Sequence, residues 1–419
     1  MEILVFLICS VALWFFCQEW RGNIGFVFFG ITSIYVISIL WIPYYIICNM
    51  IFNAGWDYPV RPMEFSLIGL IFCLAVLYSI LGKRIFLLKK PENVAERVGQ
   101  FVRQSRGRVF IVFGAIIAVV ATLSLIASKG IALSVGNYGS RFESNTGTGF
   151  YSIFSYVVVP IATLLVVANP SRWIALRSLV IVVVYGGVLF LTLGGERNYL
   201  VAAVTPILLI SYVLKLIDKK GLIVCAILGV LSIAVMALFR YGNSINSAAW
   251  LLIATYTRDT IFPVRSLNVI LYSDHLRFVG FEYFFDQFYS VVPRFFWPGK
   301  PIYLDTIAYY FTEQIYAYGK GLIIAPTGIG SLYLMGGWLY VYLGVLVVIS
   351  VFFIFDYLIF NCRSLFFICL WPALFFSFFS FRESVELGLF KILIHFVGVL
   401  LIYMFAKFIW TILPKKRLT

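Results

Sequence analysis

Apolar residues fill this chain in long uninterrupted blocks, and polar residues gather in the short gaps between them. The blocks fall near 2–17, 24–42, 64–82, 109–127, 150–168, 174–193, 199–216, 222–240, 328–357, 364–381 and 386–410. Each approaches the length that crosses roughly 30 Å of hydrocarbon as a helix, the conformation in which a backbone without water satisfies its own polar groups. The expected fold is all-α: a polytopic membrane protein of about eleven transmembrane helices. The first block, "MEILVFLICSVALWFF", opens with Glu2, has no basic residue ahead of its apolar stretch and shows no clear small-residue cleavage site. It reads as a retained span rather than a signal peptide. Over 241–327 the pattern changes, and short alternating stretches replace the long runs. There "SAAWLLIATYTRDTIFPVRSLNVILYS" and "YLDTIAYYFTEQIYAYG" read as interfacial helices on either side of "VPRFFWPGKP", residues 292–301.

Composition sharpens this picture without changing it. Of 419 residues, 62% are hydrophobic and only 12% charged, far from the balance of a soluble domain. No repeat, low-complexity tract or appended soluble domain interrupts the pattern, so residues 1–419 are read as one membrane domain with the 241–327 segment as its one large loop.

Charge adds an orientation. One set of short loops holds Arg21, the connector "GKRIFLLKKPENVAERVGQFVRQSRGR", Arg172, Arg177, "KLIDKK", Arg363 and the tail "PKKRLT". That set carries roughly 18 cations, against about five in the alternate set of Arg61, Lys129, Arg141, Arg197 and Arg382. The cation-rich side is expected in the cytoplasm, which puts the C-terminus inside, the N-terminus outside and the 241–327 loop on the outer face. The net charge of +14 then follows from topology and calls for no nucleic-acid partner. The connector at 83–108 is expected to be a plain solvated stretch in preference to a basic helix lying on anionic lipid. The seven cysteines fall mostly in apolar runs without a Cys-x-x-Cys pair, so they read as small hydrophobes, with no metal-ligand cluster.

Candidate chemistry concentrates in three places. In "VPRFFWPGKP" the prolines disfavour helix and Pro298 with Gly299 supplies a turn, which presents Arg294 and Lys300 from the two arms of one bend. An aromatic belt at the lipid boundary would share much of that composition. The wider loop, however, sets Arg258, Arg265, Arg277, Arg294, Lys300 and Lys320 beside Asp259, Asp274, Glu282, Asp286, Asp305 and Glu313, a pattern of placed pairs. In "LTLGGERNYLV", residues 191–201, Gly194 and Gly195 permit a close turn and Arg197 stands at the mouth of the next helix, where a guanidinium and free amides suit a phosphate group. Arg197 could equally pair with Glu196. Arg258 and Arg265 are about two helical turns apart and could share a face, although Pro263 between them can begin a new helix. His395 lies in the last span and reads as a packing residue, while His275 faces the loop side as a surface group or a base.

At "VPRFFWPGKP", taken with "GGERN" before it and "PTGIGSLYLMGGWLYVYLG" (326–344) after it, the chain resembles the Wzy-type O-antigen polymerases. The resemblance covers the architecture of nearly the whole chain and implies a GT-C-like fold. It implies a glycosyltransferase of the bacterial inner membrane that moves a growing glycan from undecaprenyl pyrophosphate to the sugar end of a new lipid-linked repeat unit. Membrane lipid, a chain-length regulator and a flippase of the same pathway are the partners it implies. Arg197, Arg258, Arg265, Arg294 and Lys300 would then meet the pyrophosphate, and Trp297 and Tyr303 would stack on sugar faces. No Asp-x-Asp occurs, so neither a metal nor another cofactor is expected. The base stays open among Glu196, Asp259, His275, Asp305 and Glu313. An O-antigen ligase would use the same donor with another acceptor, and a polysaccharide transporter or flippase would call for charge near the span centres.

Overall fold

The structure is a computed structural model that describes residues 1–129, 149–192, 198–229, 249–290, 292, 297–300, 305–317 and 324–412. The described residues are helical and contain no strand, as the apolar blocks predict. The first half holds α1 (Glu2–Glu19), α2 (Phe26–Ser38), α3 (Trp41–Phe52), α4 (Pro62–Phe86), α5 (Pro91–Arg103), α6 (Ser105–Lys129), α7 (Gly149–Ser155), α8 (Val158–Ala168), α9 (Arg172–Thr192) and α10 (Asn198–Val213). A further helix, α11, is described over 219–229, so the span expected at 222–240 is seen only in part. The long loop contributes α12 (Ala249–Ile261), α13 (Val264–Leu271), α14 (Glu282–Tyr289) and α15 (Ile307–Tyr310), the last continued by a π-helical turn, Phe311–Ile315. The chain closes with α16 (Gly328–Asn361), α17 (Ser364–Leu370), a 3₁₀ turn at Trp371–Ala373, α18 (Phe376–Arg382) and α19 (Val385–Ile412).

Among the described residues eight helical stretches are long and apolar enough to cross a membrane, and the pair Ser364–Ala373 and Phe376–Arg382, bent by 41°, would make a ninth. Their outward faces carry rows such as Leu4, Leu7, Ile8 and Val11 on α1 or Leu401, Met404, Phe405 and Phe408 on α19, all more than half exposed. Apolar surface of that extent is suited to lipid, not water. Inside, Trp20, Trp41, Trp371 and Tyr156 are fully buried, the last two bonded to backbone carbonyls of α10 at Pro206 and Ala202.

Two polar devices hold this bundle. Gly25 precedes α2 and has no side chain with which to cap it; the carboxylate of Asp356, fully buried on α16, accepts instead from Phe26 N (2.6 Å) and Val27 N (3.1 Å). A Cβ on Gly25 would stand 2.2 Å from Asp356 Oδ1, so only glycine lets the carboxylate approach. The second device overturns the solvated reading of the connector. Residues 91–103 form α5, whose Val94, Ala95, Val98 and Val102 are buried against α8 and α17, while Arg97 donates to Phe360 O and Cys362 O at 3.0 Å each. Its apolar residues recur at helical spacing, and the carbonyls ending α16 need a donor, so the basic helix docks on protein.

One break sets the position of the loop. Within α16, Gly336 and Gly337 leave helical geometry, Gly337 at φ 73° and ψ −160°, a conformation essentially limited to glycine. The break exposes the carbonyls of Leu334 and Met335, and these accept from Val279 N (3.0 Å) and Gly280 N (3.2 Å) of the loop. The loop helices are thereby clipped to one end of the bundle, the loop end.

Candidate functional site

At the loop end the chain turns sharply between α18 and α19. Gly388 and Gly328 lie so close to Ser380 that an added Cβ would come within 2.2 Å and 2.5 Å of its atoms, so three backbones converge there. Into this corner the sequence "RESVE" puts four polar side chains at 382–386. Arg382 Nε donates to Thr260 O at 2.8 Å and ties the corner to the end of α12. Ser331 Oγ accepts from Val385 N at 3.2 Å. Glu383 accepts from Lys391 Nζ at 2.9 Å and, through its other oxygen, from Asn198 at the start of α10. Both partners of this ion pair are about nine-tenths buried, so the pair locks α10 to the corner as well as α18 to α19. One turn deeper, His395 donates from Nδ1 to Lys391 O at 2.6 Å and stacks on Phe376 with ring centres 4.7 Å apart. That is the packing histidine expected from sequence, with a buried ion pair beside it.

The loop brings its cations to the same end in different ways. Pro263 caps α13, so α12 and α13 are separate helices and the two-turn spacing from Arg258 to Arg265 does not continue along one face. Arg258 is 9% exposed, donates from Nε to Asp259 Oδ1 at 2.8 Å and stands 4.6 Å from the Trp56 ring centre. Burial opposes its charge, and Asp259 outweighs the burial, leaving its pKa above the ordinary value. Arg265 is exposed, and both arginines lie within electrostatic reach of Tyr45. The irregular segment between α3 and α4 supports this group: Asn49 pairs twice with the backbone of Trp56 at 2.9 Å, and Arg61 N donates to Tyr272 Oη at 2.9 Å.

The bend at Pro298–Gly299 is present, closed by Lys300 N to Trp297 O at 3.0 Å. Lys300 Nζ turns back to donate to Ser290 O (2.7 Å) and Val292 O (3.0 Å), so its charge serves the carbonyl end of α14. Trp297 is 37% exposed, with its ring 6.5 Å from that of Tyr289. Asp305 is exposed beside α14, where burial first, then Asp305 and Glu282, raise Asp286 above the ordinary carboxylate range. Glu313 is half-buried in the π-helical turn, and His275 is exposed on the turn after α13. Glu196, Arg197, Arg294 and Tyr303 lie outside the described residues. Among the described residues no three of His, Cys, Asp and Glu are grouped as a metal site.

The corner residues Glu383, Glu386 and Lys391 were not among the sequence candidates. Their signal was present: Glu386, Lys391 and His395 in the first three turns of a largely apolar span, with Glu383 just ahead of it, a pattern rarely tolerated in lipid unless it is paired or functional.

An all-helical bundle with several lipid-length helices and extensive exposed apolar surface defines a multi-span membrane protein. Residues 2–411 match the family described as WzyE protein, O-antigen assembly polymerase, and the chain belongs to that family. It is thus an O-antigen-type polymerase, an enzyme of the glycosyltransferase kind that acts on lipid-linked oligosaccharides. No solved structure matches it.

Proposed function

We propose that the chain polymerises lipid-linked repeat units at the outer face of the bacterial inner membrane. A growing glycan leaves undecaprenyl pyrophosphate and is joined to the sugar end of a new lipid-linked unit. The family match over residues 2–411 carries this reading. As the sugar–phosphate bond breaks, negative charge grows on the departing pyrophosphate, and fixed cations stabilise it best when they need no reorganisation. Arg258, held by Asp259 and Trp56, is such a cation, and Arg197, Arg265 and Arg294 are assigned to the same anion. Lys300 donates to Ser290 O and Val292 O, close in sequence to Arg294. Trp297 and Tyr303 offer ring faces to the sugars.

Purified protein in liposomes, supplied with lipid-linked repeat units, should build a ladder of lengthening glycans, and should do so in excess chelator. A product that never exceeds one repeat would overturn the polymerase reading. Activity lost to chelator and restored by Mg²⁺ or Mn²⁺ would overturn the assignment of the arginines as the main electrophiles.

Orientation follows from the cation bias: loop end outside, N-terminus outside, C-terminus cytoplasmic. In a chain stripped of its seven native cysteines, Asp274→Cys should react with a membrane-impermeant thiol reagent on intact spheroplasts, and Glu92→Cys should not. Both positions are exposed, so the contrast reports sidedness, and reversed labelling would move the proposed chemistry to the cytoplasmic side.

A further inference from the structure

Most polar groups of the α18–α19 corner are matched: Glu383 by Lys391 and Asn198, Arg382 by Thr260 O, Ser331 by Val385 N. Three groups are exceptions among the described residues, Ser384 Oγ, His395 Nε2 and Glu386, and Glu386 is the acid among them. It is fully buried, and neither carboxylate oxygen has a hydrogen-bond partner among the described residues. Ser384 and the residue's own backbone N–H stand beside the carboxyl, and neither makes a bond of ordinary geometry with it. A buried carboxyl without partners is costly, and a corner that satisfies Glu383 so fully has no general shortage of donors. A role in which the lone pairs must stay available accounts for the exception.

Its placement agrees. Glu386 lies in the first turn of α19, where the helix dipole favours the ionised form without occupying its oxygens. It shares a helix face with Phe390, four residues on, whose ring centre lies 6.0 Å from that of Phe288 on α14. His395, nine residues on, points half a turn away, so Glu386 belongs to the side under the loop and not to the His395 side. Lys300 binds the carbonyls that follow α14, the helix whose Phe288 meets Phe390. Of the base candidates read from sequence, Asp259 is engaged by Arg258, Asp305 and His275 are exposed, Glu313 is only half-buried, and Glu196 lies outside the described residues.

We propose that Glu386 is the catalytic base of the transfer, an inference that rests on the polymerase reading. The acceptor sugar hydroxyl approaches from the α14 side of α19 and gives its proton to a Glu386 oxygen. The hydroxyl oxygen forms the new bond to the anomeric carbon of the donor. The bond from that carbon to the phosphate oxygen breaks, and its electron pair leaves with the polyprenyl pyrophosphate. Glu386 then returns the proton to water, and no other reactant is required.

The test uses the full chain in liposomes with lipid-linked repeat units. Glu386→Gln keeps shape and removes basicity; it should accumulate and melt as the wild type does, with turnover lower by about a hundredfold or more. Glu386→Asp should keep part of the turnover and move the acid limb of the pH–turnover profile. A structural, protonated Glu386 predicts the contrary: the glutamine variant turns over normally with an unmoved profile, and that result overturns the proposal while leaving the polymerase reading intact. Should the glutamine variant fail to accumulate, the aspartate variant decides, and an unmoved acid limb overturns the proposal. Wild-type protein that transfers no glycan sinks the polymerase reading and this inference with it.

Discussion

Arg294→Ala or Arg197→Ala will lower polymerisation about a hundredfold while the protein inserts and accumulates normally. One charge-assisted contact to a developing phosphate charge contributes about 3 kcal/mol, which is roughly that factor in rate. Arg→Lys at either position will restore only part of it, because a point charge keeps the Coulomb attraction and loses the two-pronged geometry. Phe295→Leu, which keeps bulk and removes the ring, will cost far less. Lys300→Met will also cost less than Arg294→Ala, since the ammonium is engaged with Ser290 O and Val292 O and its loss loosens a bend without removing a phosphate ligand. The measurement is glycan chain length per unit of membrane-inserted protein. If the ring change hurts and Arg294→Ala leaves the ladder near normal, "VPRFFWPGKP" is an interfacial anchor and the arginine assignment fails.

Lys391→Met will destabilise the fold by about 3–5 kcal/mol, the usual cost of removing one partner of a buried ion pair. Glu383 would stay buried with Asn198 as its remaining partner and no counter-charge. Pairing the change with Glu383→Gln removes both charges and keeps an acceptor for Asn198, so the double variant should recover most of the loss. Thermal unfolding of the detergent-solubilised chain checks this. Equal loss in the single and double variants would mean that the corner is held by packing at Gly328, Gly388 and Ser380 and not by the pair.

The two predictions differ in how much of their basis the sequence contains. The arginines were chosen from residue type, turn chemistry and resemblance, all local properties. The ion pair was not, because Glu383 and Lys391 belong to different helices and Asn198 stands 185 positions before Glu383. Periodicity reports which face of one helix is apolar, and it is silent about which helix lies opposite. The same limit explains α5: its basic composition suggested solvent, yet its valines recur at helical spacing and Arg97 meets the carbonyls ending a helix more than 250 positions later. Arg258 and Arg265 failed as a face for a more local reason, since Pro263 starts a new helix between them.

By itself, the sequence determined the class of this protein. Apolar runs of membrane length leave the backbone no option but helix, so the all-α fold, most span positions and the turn at Pro298–Gly299 were legible before any coordinate. Family membership was legible too, because it rests on residue pattern along nearly the whole chain. Tertiary structure alone decided which charges are matched and which are left available. Asp356 caps a helix 330 positions away, Glu383 takes Lys391 and Asn198, Lys300 turns inward to carbonyls, and Glu386 is buried without a hydrogen-bond partner among the described residues. A charge in a low-dielectric interior is defined by what stands within a few ångströms of it, and that neighbourhood is assembled from helices far apart in the chain.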